Sequence, residues 1–150
     1  MKALTLSQPW ATLVAISAKR IETRSWKTEY RGKLAIHAAK GFGKEARFLL
    51  GETPFYETLF ENHHIQEKAL PLGAIVAICD LVHVVPIDNN PVKLYTSSLG
   101  IRWHLTEQER SFGDYTPGRY AWLLDNVQKL ATPIPAKGAL GLWNWDEKGL

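Results

Sequence analysis

The sequence predicts an α+β protein: a small β-barrel with two or three flanking helices. Five or six short segments have the length and apolar character of strands. Two or three others repeat their apolar residues at helical spacing, and no internal repeat, low-complexity tract or linker divides the chain. At 150 residues, with 45% hydrophobic and 22% charged, the chain can bury one core, and residues 1–150 are read as a single domain.

Ala3 to Leu6 is the first strand. Pro9 suits the first turn of a helix, where its missing N–H costs nothing, with Ser7 or Gln8 as the cap. Trp10, Leu13, Val14 and Ser17 continue at helical spacing, so the segment Trp10 to Ala18 buries one face. Arg20 to Trp26 switches to strand alternation, with Arg20, Glu22, Arg24 and Trp26 on one face, Ile21 and Thr23 on the other, and Lys19 at the turn. The turn Tyr30-Arg31-Gly32 leads into a strand from Lys33 to Ala39. Gly43 to Leu50 reads as a helix, and Phe55 to Lys68 contains another after the break at Gly51–Pro54. Ala74 to Val85 is the longest strand, apolar enough at its start to be covered on both faces. Pro86 to Gly100 reads as loop, Leu105 to Arg110 as a short helix and Gly113 to Gly118 as a turn. Tyr120 to Val127 and Ala139 to Trp145 complete the strands, the second approached through the proline-stiffened segment Pro133–Gly138.

Composition narrows the function. A formal net charge of +3 points mildly to an anionic partner. No apolar run nears the roughly 20 residues of a membrane helix, and the N-terminus lacks the pattern of a signal peptide. A lone cysteine, Cys79, forms no internal disulfide, and inside an apolar strand it reads as an inert core residue. These features suggest a cytoplasmic, monomeric protein with no membrane partner. The five histidines and one cysteine lack zinc-site spacing, so neither a metal nor a cofactor is expected. There is no Gly-x-Ser-x-Gly, and Gly41-Phe42-Gly43-Lys44 lacks the second half of a phosphate loop.

The densest chemistry lies between Ser17 and Trp26. Lys19, Glu22, Arg24 and Trp26 place a cation, a carboxylate, a guanidinium and an indole within eight residues, with Gln8 and Trp10 just upstream. Such a set can wall a pocket for a nucleobase or a phosphorylated ligand. Lys19 and Arg24 would bind phosphate or a base carbonyl, Glu22 would accept from an exocyclic amine, and Trp10 or Trp26 would stack. The alternative is a salt-bridged strand face. On the pocket reading Lys19 and Arg24 line the cleft, and their loss costs under about 1 kcal/mol of stability. His37 either faces the same cavity as an acid–base group or is a hydrogen-bonded structural residue. Trp143 and Trp145 alternate in the last strand; exposed, they would mark a protein-interaction module instead.

Lys19-x-x-Glu22-x-Arg24 resembles the Gly-x-Lys-x-x-Glu-x-Arg signature of the activating signal cointegrator homology (ASCH) family, with Ser17 in place of the glycine. The surrounding Leu6–Ala11, Ile21–Trp26, Tyr30–Ala38, Gly73–Val76 and Gly118–Trp122 segments are similar too, so the likeness spans most of the chain. The resemblance implies a barrel related to the pseudouridine synthase and archaeosine transglycosylase (PUA) RNA-binding domain. It also implies a cationic cleft for RNA or a nucleotide-like ligand, lined by Gln8, Trp10, Lys19, Glu22, Arg24, Trp26 and Arg119. Some small bacterial members hydrolyse acetylated cytidine with a lysine, a threonine and a glutamate. A hydrolase acting on a modified nucleoside or on RNA is therefore the rival reading, with Lys19 and Glu22 as catalytic candidates. This chain carries Glu22 where that threonine is expected, and the further glutamate falls near Glu107 or Glu109.

Overall fold

The computed structural model describes residues 1–89, 93–96 and 101–150. The architecture is α+β. Strands β1 (Lys2–Leu6), β2 (Ile21–Arg24), β3 (Gly32–Ala38), β4 (Ala74–Pro86), β7 (Tyr120–Pro135) and β8 (Leu142–Asn144) form one sheet in the order β2-β7-β4-β3-β1-β8. β1 runs parallel to β3, and every other pairing in this sheet is antiparallel. Three register shifts along the long β4–β7 pair bend it, because a bulge forces extra twist on the strand that carries it. The sheet curls into half a barrel with β2 and β8 as its edges.

The helices α1 (Trp10–Ala15), α2 (Lys44–Leu49) and α3 (Glu107–Ser111) are short. α1 packs against β3, β4 and β7. It joins Leu4, Leu6, Leu34, Ile36, Cys79 and Leu81 in a core around Trp122, which is completely enclosed. The opposite face is covered by Trp145 packed with Ala3, Ala35 and Ile75. Trp145 is buried and Trp143 half-buried, so the two indoles do not form the exposed patch that an interaction module needs. Burial pushes the Cys79 thiol up to about 12, with Asp80 adding to it, and the thiol is inert.

Most sequence boundaries hold to within a few residues. The main departure is the loop expected over Pro86–Gly100, where β5 (Lys93–Thr96) pairs with β6 (Ile101–His104) in a separate ribbon. Four-residue strands flanked by Pro91 and Ser97-Ser98 are too short for alternation to register; positions 90–92 and 97–100 lie outside the described residues. β7 also runs on to Pro135, since its prolines fall at the strand end, where a missing donor is tolerated. The helix expected within Phe55–Lys68 is a π-helical turn, Glu57–Asn62, followed by a 3₁₀ turn, Glu67–Ala69.

The end of α1 explains the serine in the signature. Ala18 N–H donates to Leu13 O (3.0 Å) and Ser17 N–H to Val14 O (2.9 Å), the paired bonds of a Schellman cap. Ser17 sits at its left-handed position with φ 62, where an L-residue meets strain and glycine does not. Its side chain is exposed. Ser17→Gly is expected to raise stability by about 0.5–1 kcal/mol, the relief of strain outweighing the extra chain entropy of glycine. Urea unfolding of the two proteins measures the difference.

Candidate functional site

The cap aims the chain from α1 into β2 and sends Lys19 inward. Lys19 has no exposed surface. Its ammonium donates to Ile21 O and lies 3.5 Å from Glu22 Oε1. This differs from the cleft-lining cation expected from sequence: the turn drives the side chain behind β2. Glu22 Oε1 also accepts from Thr23 N–H (3.1 Å), and Glu22 Oε2 accepts from an Arg24 Nη at 3.1 Å. The same Nη donates to Thr5 O at 2.7 Å, while Arg24 Nε has no partner among the described residues. The carboxylate is thus clamped between a buried ammonium and a half-buried guanidinium, an arrangement that offsets the cost of desolvating it.

Glu109 of α3 braces the turn from the other side. Its Oε1 accepts from Arg20 N–H (2.8 Å) and Ile21 N–H (2.5 Å). Of the two glutamates near the expected position, Glu109 is the buried one, and Glu107 is exposed. Burial raises the Glu109 carboxyl above its ordinary value, against the pull of Lys19, the two amides and Arg20. Tyr115 is pushed up as well, by burial first and then by the Glu109 and Glu22 carboxylates, and its hydroxyl has no partner among the described residues.

In front of this buried layer lies a cleft of about 490 Å³. Glu22, Arg24, Trp10 and Arg119 all line it, together with Thr5, Ser7, Thr23 and Asp114. Trp10 stands edge-on to Phe55 (centroids 6.1 Å apart), which packs edge-on to Phe112 (5.1 Å). Arg119 Nε donates to Asp114 O (3.1 Å) and an Nη to Thr23 O (3.2 Å), so the arginine spans the cleft mouth. Thr116, through its hydroxyl and amide, and then Arg119 hold the Asp114 carboxyl below its ordinary value. The charged lining is Glu22 and Asp114 against Arg24 and Arg119. The cleft is therefore charge-balanced rather than cationic as the sequence suggests.

Three other residues singled out in the sequence sit elsewhere. Gln8 is fully buried, its Nε2 donating to Pro71 O (2.8 Å) and its Oε1 accepting from Thr12 N–H (3.1 Å), so it fastens α1. Trp26 packs edge-on to Trp122 (4.8 Å) away from the cleft, and its carbonyl accepts from the Trp122 indole at 3.2 Å. His37 is buried beyond β1, with Nδ1 3.1 Å from Thr5 Oγ1 and Nε2 2.7 Å from Ala136 O. Sequence reasoning missed Phe55, Phe112 and Asp114 as cleft walls. Asp114, in a glycine-bounded turn five residues before Arg119, was the available signal. Among the described residues no cluster of three or more His, Cys, Asp or Glu side chains could hold a metal ion, and no helix is long and apolar enough to cross a membrane.

A curled mixed sheet with a polar, aromatic-walled cleft at its helix-to-strand turn defines the class of domain. The family model described as the ASCH domain matches residues 4–133, and the chain belongs to the ASCH domain family. It is 25% identical over 145 residues to activating signal cointegrator 1 of Mus musculus, and 24% over 146 residues to that of Homo sapiens. Each match covers 97% of this chain but 22% of the relative, so the chain spans about a fifth of the length of the curated relatives it matches. Solved structures of ASCH from Zymomonas mobilis and of a single-residue variant of it are similar at TM-score 0.49. They have 17–18% identity, with 89% of this chain and 72–74% of theirs covered.

The raised Glu109 carboxyl sets a pH dependence. A folded-state value above the unfolded 4.5 means that the folded protein binds the proton more tightly. The favourable contribution is complete below about 4.5 and is lost as pH rises through the folded value. Glu109→Gln keeps an oxygen acceptor for the two amides and removes the titration. The variant is expected to lose less stability than the native protein between pH 4.5 and 7, as measured by urea midpoints.

Proposed function

We infer that the cleft binds a nucleobase of single-stranded RNA. The observation that carries this reading is the mixed lining: arginine donors, carboxylate acceptors and an aromatic wall around about 490 Å³, inside the 300–1,000 Å³ range of small-ligand sites. A base edge presents donors and acceptors together, which such a lining matches. A phosphate alone would face Glu22 and Asp114 as well as the arginines. In this reading Glu22 accepts from the base, Arg24 and Arg119 donate to it, and Trp10 stacks on its face. Gln8, Lys19 and Trp26 hold the walls in place. The ASCH membership favours nucleic acid as the partner.

The hydrolase reading has one observation in its favour: Glu109, near the expected place of the family's glutamate, is buried against the Lys19 turn, its Oε1 accepting from Arg20 and Ile21 N–H. Against it, a ligand in the cleft meets Glu22 while Lys19 is wholly enclosed and hydrogen-bonded. A lysine that attacks or removes a proton needs access to the substrate and a free amine.

Fluorescence anisotropy with single-stranded RNA tests the binding reading. Trp10→Ala is expected to weaken binding by about 1–3 kcal/mol, roughly 5- to 150-fold, while the protein stays folded. An unchanged affinity, or no binding by the native protein at low salt, refutes it. Release of acetate from acetylated cytidine by the native protein would move the assignment to the hydrolase.

A further inference from the structure

We propose that a second groove, on the far side of β1 from the cleft, holds the phosphates of the same RNA. This rests on the RNA reading of the cleft and adds to it where the backbone goes. The groove has a volume of about 880 Å³ and is formed by the end of β3, the β4 approach at Leu72-Gly73, and the segment 135–140. Among the described residues its only charged lining side chains are Lys40 and Lys137, both exposed. Among the described residues neither has an acidic partner within ion-pair distance. Two unpaired ammonium groups on a surface without a carboxylate attract a polyanion.

The cleft and the groove meet at one residue. Thr5 lines both. Its carbonyl accepts from Arg24 on the cleft side, and its hydroxyl meets His37 Nδ1 at 3.1 Å and accepts from the Trp143 indole at 3.0 Å on the groove side. That hydroxyl and His37 fix the groove floor. A Cβ on Gly138 would fall 2.7 Å from the His37 ring and 2.8 Å from Thr5 Oγ1, so only glycine lets the backbone lie this close. Leu140 is almost fully exposed and Leu72 about half exposed at the rim, and both offer apolar surface to sugars or bases.

The charge balance of the cleft favours a separate surface for the phosphates. Two arginines matched by two carboxylates leave the cleft little net attraction for a phosphate chain, whereas the charged side chains described in the adjoining groove are both cations. Base recognition and backbone attraction are thereby separated across β1.

The test measures affinity for a single-stranded RNA of about 12 nucleotides, within the site sizes of single-strand binders, over a series of salt concentrations. The native protein is compared with Trp10→Ala and with the double variant Lys40→Gln/Lys137→Gln. Both lysines are exposed, and matching thermal melts confirm that the double variant is folded. The expected result is a salt slope shallower by about 1.4 in the double variant, two phosphate contacts at about 0.7 each. Trp10→Ala should weaken binding with the slope unchanged. An unchanged slope in the double variant, with Trp10→Ala still weakening binding, overturns the groove and leaves the cleft reading standing. A shallower slope with Trp10→Ala without effect supports the groove and removes the cleft.

Discussion

A fully enclosed ammonium organises this molecule. Lys19 has no contact with solvent, and taking such a charge from water costs several kcal/mol unless partners replace the lost hydration. The partners come from three directions: the Ile21 carbonyl, the Glu22 carboxylate and the field of Glu109 on α3. Satisfying Lys19 therefore fixes the start of β2, the rotamer of Glu22 and the seat of α3 at once. The Schellman cap at Ser17 is what turns the chain sharply enough to deliver the lysine inward.

The cleft follows from that buried layer. Glu22, held from behind by Lys19, fixes Arg24, and Arg24 reaches across to the carbonyl of Thr5 on β1. α3, held by Glu109, ends at Phe112 and leads to the turn that places Asp114 and Arg119 at the mouth. Donors, acceptors and an indole face then surround one space without any of them being free to collapse into it. On the proposed reading this is preorganisation: ordering costs are met in folding rather than in binding.

The strands around the motif, and the closeness of Glu22, Arg24 and Trp10, were legible because strand alternation and the order of charged residues are local properties, whereas Arg119, far along the chain, came only with the family resemblance. What escaped the sequence was depth. Spacing puts Lys19 beside Glu22 but cannot tell a lysine behind a strand from one in front of it. Gln8 reads as a polar residue near a pocket, and only the fold reveals Pro71 and Thr12 as its partners. Trp26 alternates with Glu22 and Arg24, yet β2 ends at Arg24 and the indole turns onto Trp122. The cleft's charge balance was hidden for the same reason, since Asp114 approaches from 90 residues downstream of Arg24.

Urea unfolding of Lys19→Ala is the most direct test of the central claim that the signature lysine is a buried structural charge. Removing one member of a buried ion pair leaves Glu22 and Glu109 without their ammonium, and a loss of about 3–5 kcal/mol is expected. A loss below about 1 kcal/mol, the range of exposed pairs, would mean that the ammonium is solvated and available to a ligand, and would contradict the account.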